Sequence, residues 1–72
     1  MIFRDLDPVV LLENIPSRGL QRGALGAIVH RHTDACVEVE FLTAVGDTQA
    51  VVRISTHQLR HAIDSELTHR FA

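Results

Sequence analysis

The apolar and polar positions along the chain follow a pattern of short strands separated by turns. Its clearest element is Cys36-Val37-Glu38-Val39-Glu40-Phe41-Leu42, where Val37, Val39 and Phe41 alternate with Glu38 and Glu40. A period of two puts the apolar set on one face and both carboxylates on the other, so a half-buried antiparallel strand is expected. Thr43 to Thr48, with Gly46-Asp47 near its centre, reads as a turn, and Gln49-Ala50-Val51-Val52-Arg53-Ile54 as the returning arm of a hairpin. Upstream, Pro8-Val9-Val10-Leu11-Leu12 is a β-rich run that starts with proline and reads as a first strand. From Glu13 to Gly26 the chain holds three glycines and a proline among polar residues, too many interruptions for a helix, so a long loop is expected. Ala27 to His32 forms a second strand, and Thr33-Asp34-Ala35 a tight turn into the third. Ser55 to Leu59 offers capping hydroxyls in too short a segment for a helix. A single 3-10 turn before a short last strand near Arg60 to Ile63 follows. The polar tail, Asp64 to Ala72, is either frayed or helical.

These elements predict an all-β domain of about five antiparallel strands, with a barrel over residues 6–63 and a tail over 64–72. Closure is expected because a domain this small has nothing else with which to cover its sheet edges. The predicted core is Val10, Leu12, Val29, Val37, Val39, Phe41, Val52 and Leu59, with Glu38 and Glu40 exposed. Leu42 and Val51 take the opposite parity and project outward as an apolar contact surface.

Length and composition narrow the function classes. Seventy-two residues suffice for one domain with a small core, and the lone Cys36 excludes an internal disulfide. A bound partner or self-association is the expected compensation. A formal charge of −2 without a single lysine argues against a general polyanion binder. No apolar run is long enough for a membrane span, and the acidic start Met1-Ile2-Phe3-Arg4-Asp5 lacks the parts of a signal peptide, so a cytoplasmic location is the default.

Four stretches, in order, carry a family resemblance. They are Val9-Val10-Leu11-Leu12 with Ile15-Pro16, Gly19-Leu20-Gln21-Arg22-Gly23 with Gly26-Ala27-Ile28-Val29, Val37 to Phe41, and Gly46-Asp47-Thr48 with Gln58-Leu59-Arg60. Over residues 6–62 the chain resembles the DUF 4926 (domain of unknown function) family of small bacterial proteins. The resemblance implies an SH3-like barrel with a long first loop and a 3-10 turn before the last strand. It implies bacterial origin and no assigned reaction, and some members resemble small partner proteins encoded beside toxins. Ala24, Ala27, Val37 and Arg53 depart from the family's usual polar, polar, tyrosine and threonine residues, differences expected to alter surface chemistry rather than fold.

No constellation of catalytic residues stands out. Gly19, Gly23 and Gly26 lack the Gly-Lys-Ser/Thr ending and strand-to-helix context of a phosphate loop. His30 and His32 share a strand face, whereas His57 and His61 would be neighbours only on a helix that the segment is too short to form; no metal site is expected. Cys36 reads as a small apolar residue rather than a nucleophile. Glu38 and Glu40 read as a charged outer row, suited to steering a basic partner. The expectation is therefore a non-enzymatic protein-interaction module, an antitoxin or immunity-type partner of a neighbouring toxin or enzyme. Its contacts would come from Asn14, Arg18, Gln21, Arg22, Glu38, Glu40, Leu42 and Val51, on a homodimer or a heteromeric complex, with no cofactor and no small-molecule substrate. The alternative is an RNA-binding barrel of KOW-like type, using Arg18, Arg22 and Arg31 around the glycine loop.

Overall fold

A computed structural model of the protein describes the backbone of residues 2–71 and the side chains of residues 2–67. Five strands, β1 (Pro8–Leu11), β2 (Leu25–Arg31), β3 (Cys36–Leu42), β4 (Thr48–Ser55) and β5 (Leu59–His61), form one antiparallel sheet in the order β4-β3-β2-β1-β5. A 3-10 turn, Pro16–Arg18, sits in the long β1–β2 loop, and a second, Thr56–Gln58, precedes β5. Ser55 and Gln58 cap that second turn reciprocally, which fixes the chain's entry into so short a strand. The polar tail is helical, as α1 (Asp64–Phe71). Its N-terminus is tied by Glu66, which accepts from the Ile63 N–H at 2.9 Å and from both ends of the Arg60 guanidinium at 2.8 and 2.7 Å.

The result is a small barrel-like fold, but the expected closure does not occur. β4 and β5 remain the two edges of the sheet. With three residues, β5 is too short to run alongside the eight of β4. The β1–β2 loop takes that place: Arg18 Nη2 donates to the Val51 carbonyl at 3.2 Å, and Gln49 Nε2 donates to the Gly19 carbonyl at 2.9 Å. Covering an edge with a loop is one of the ways in which open sheets avoid unwanted pairing.

The core follows β3 as expected. Val37, Val39 and Phe41 are fully buried, with Val52, Ile54 and Leu59 packed around them. Val37 is thus a core residue and not a surface departure. Two of the expected core residues face out, Leu12 at 41% and Val29 at 43% exposure. Val9, Leu11 and Ile28 fill the interior instead. In β2 the cause is a bulge, since register with β3 shifts between Ile28 and His30 and displaces Val29. In β1 four consecutive apolar residues give no alternation from which parity can be read. Val10 is buried as expected, although on the opposite face of β1 from Val9 and Leu11, paired with the equally buried Leu25.

Gly26 lies within β2, paired with Val9 on one side and Phe41 on the other, and not in the loop to which its sequence context assigns it. A Cβ there would meet the Glu40 carbonyl oxygen at 2.6 Å, Val39 Cγ1 at 2.8 Å and Phe41 Cδ1 at 3.1 Å. The requirement is for space, because β2 presses its backbone onto β3 at this point.

Candidate functional site

The β1–β2 loop is shaped by two residues with left-handed backbone, Gly19 (φ 67°) and Gly23 (φ 92°), conformations that glycine adopts without the steric cost of a side chain. Around Gly19 the loop folds back on itself: Ile15 and Leu20 form an isolated antiparallel bridge, and the Asn14 side-chain oxygen accepts from the Arg22 backbone N–H at 2.8 Å. Asn14 therefore shapes the loop from within. Leu20 is buried in the core, which anchors the loop and leaves Arg18, Gln21 and Arg22 exposed around it.

This loop stands against the β3–β4 hairpin. Gln21, Arg22, Leu42 and Gln49 line a common open cleft of about 410 Å³. Val51, 47% exposed on the outer face of β4, lies opposite Glu40 and offers its carbonyl to Arg18. Of the residues expected to bind a partner, Asn14, Arg18, Gln21, Arg22, Glu40, Leu42 and Val51 thus converge on one side of the molecule. Glu38 does not join them; it sits farther along β3, toward Cys36.

The two carboxylates are less free than an exposed row would be. Glu38 and Glu40 are half-buried rather than exposed, because each is engaged by a neighbour. Glu40 Oε2 accepts from the Thr48 hydroxyl at 2.6 Å. Glu38 Oε2 lies 2.6 Å from His32 Nε2. The acidic field anticipated for β3 is therefore largely matched within the molecule.

The arginines divide by location. Arg31 pairs with Asp34 at 3.5 Å and Arg60 with Glu66 at 2.7 Å. Glu66 holds the Arg60 guanidinium proton to higher pH than usual. No carboxylate lies within ion-pair distance of Arg18, Arg22 or Arg53 among the described residues, and all three belong to the loop and β4 side. Sequence reasoning passed over Arg53 and Gln49, since their place beside the loop depends on the loop reaching across to β4. Arg31, grouped from sequence with Arg18 and Arg22, lies at the far end of β2.

The histidines occupy separate settings. His30 and His32 meet edge to face with centroids 4.5 Å apart. His61 stacks on Phe3 at 4.4 Å and bonds Asp7 at 3.0 Å, while His57 is exposed in the second 3-10 turn. Among the described residues no group of three or more His, Cys, Asp or Glu side chains is placed to hold a metal ion. Cys36 is a half-buried free thiol at the start of β3. No helix among the described residues is long and apolar enough to cross a membrane.

Strand order, turns and loop define a small open barrel-like all-β domain. The chain belongs to the family Domain of unknown function (DUF4926), whose model matches residues 5–61, a span that includes all five strands and the loop. No curated protein and no solved structure matches it.

Proposed function

We propose that the protein is a non-enzymatic interaction module that engages a protein partner through the β1–β2 loop and the outer side of β4, in the manner of an antitoxin or immunity-type protein. The observation that carries this reading is the convergence of Arg18, Gln21, Arg22, Leu42 and Val51 on the side where the sheet is left open. A partly apolar centre with arginines around it is the composition typical of interface patches. The half-buried state of Glu38 and Glu40 supports the loop and β4 edge, more than the acidic strand, as the contact.

The RNA-binding alternative is less well supported, because Arg31 stands apart from the loop arginines and both described phenylalanines, Phe3 and Phe41, are buried and offer no stacking platform. The test is affinity capture from the native host with wild-type bait and with a Leu42→Ser, Val51→Ser double variant. A protein retained by the wild type and lost by the variant supports the module; equal recovery on both baits, or RNA as the only retained species, opposes it. Light scattering across a concentration series shows whether the partner is a second copy of this chain.

A further inference from the structure

Below the Arg18 contact, the edge of β4 opens into a second cleft of about 410 Å³, lined by Ile15, Arg18, Val52, Arg53, Ile54 and Gln58. It lies where a closed barrel would have continued, between the first 3-10 turn, β4 and the second 3-10 turn. Two features of its lining indicate what would fill it. The Val51 carbonyl accepts from Arg18 rather than from a strand, so the Val51 backbone faces away from β3. By strand alternation the N–H and C=O of Arg53, two residues on, face the same way. Among the described residues no loop or cap hydrogen bond satisfies them. Ile15, Val52 and Ile54 supply an apolar floor, and the charged groups in the lining, Arg18 and Arg53, are both cationic.

From this we infer that the cleft binds an extended acidic segment of a partner protein, a peptide that alternates apolar and acidic side chains. Its backbone pairs with Arg53 at the β4 edge, its apolar side chains meet Ile15 and Ile54, and its carboxylates bond the guanidinium groups of Arg18 and Arg53. Main-chain pairing at an edge supplies affinity, and alternate side chains supply selectivity. Arginine's planar fork suits carboxylates in particular. The inference rests on the interaction-module reading and specifies the partner's chemistry, which is acidic rather than the basic one suggested by Glu38 and Glu40. The absence of an exposed aromatic ring in the cleft favours peptide over nucleic acid.

The test is fluorescence anisotropy with three labelled probes: a short peptide of alternating valine and glutamate, its valine and lysine counterpart, and an oligouridylate. The expected result is that the glutamate peptide binds and the lysine peptide does not. Arg18→Ala with Arg53→Ala should weaken binding about tenfold or more, and Arg31→Ala, outside the cleft lining and paired with Asp34, should leave it unchanged. Matching thermal melts establish that the variants fold. Equal binding of both peptides, tighter binding of the oligouridylate, indifference to the double substitution, or no binding at all overturns the inference. A partner captured from the host whose retention depends on Leu42 and Val51 but not on Arg18 and Arg53 would overturn the acidic-segment assignment alone and leave the module reading in place.

Discussion

Replacing Gly26 with alanine should destabilise the protein, although the position lies in a strand, where alanine is ordinarily the better residue. In the unfolded chain alanine has less freedom to lose, a stabilising effect of about 0.4–1 kcal/mol. Against this stands a Cβ placed 2.6 Å from the Glu40 carbonyl oxygen and 2.8 Å from Val39 Cγ1. The first obstacle is backbone of the interior strand β3, which pairs with β4 on its other side and cannot rotate aside as a side chain can. Overpacking of this kind costs about 1–3 kcal/mol, at the upper end where backbone must shift. The net loss should be about 2 kcal/mol, a large share of the ~4–11 kcal/mol expected for a domain of this size. At about 4–8 °C per kcal/mol the midpoint should fall by ~8–16 °C. Thermal denaturation followed by circular dichroism, with urea titration at constant temperature, measures both quantities. An unchanged or higher midpoint would refute the close approach of β2 to β3.

Phe41→Ala removes the largest fully buried side chain and should cost about 3–5 kcal/mol, leaving the domain largely unfolded in the same urea titration. Leu6, 80% exposed and held at φ 73°, should tolerate glycine with an unchanged or slightly higher midpoint, since relief of the left-handed backbone strain offsets the greater freedom of glycine in the unfolded chain. The Arg4 backbone N–H, 2.9 Å from Asp7 Oδ2, holds the Asp7 carboxyl below its ordinary value; partial burial opposes this and the His61 hydrogen bond adds to it. A depressed carboxylate stabilises the fold at pH above its ordinary value of 3.8, and that contribution is lost as pH falls through the lower folded value. Asp7→Asn should therefore flatten the midpoint-against-pH curve on its acid side; a wild-type acid limb that survives the substitution unchanged would contradict the assignment.

Much of this fold could be read from the chain because β3 carries an unambiguous alternation, from which the hairpin partner and the inward set follow. Val37, Val39, Phe41 and Val52 are core residues for the reason their spacing suggested. β1 and β2 were harder because their apolar residues are contiguous. The faces of Val9 and Val10, or of Ile28 and Val29, depend on pairing and on a bulge, neither of which has a local sequence signal. Gly26 illustrates the same limit from the other side: its glycine is required by a neighbouring strand, whereas the loop context suggested a turn. In the candidate site, the loop residues and the outward parity of Leu42 and Val51 were legible. The capture of Glu38 by His32 and the approach of the loop to Gln49, Val51 and Arg53 were not, since both depend on contacts between distant segments.

The loop and β4 side should be the face that meets a partner. A photo-crosslinking residue placed at Val51, and separately at Ile63, exposed between β5 and α1, tests that directly in native cells. Irradiation should yield a discrete crosslinked protein from the Val51 position and none from the Ile63 position. Crosslinks of equal yield at both positions, or none from Val51, would contradict it.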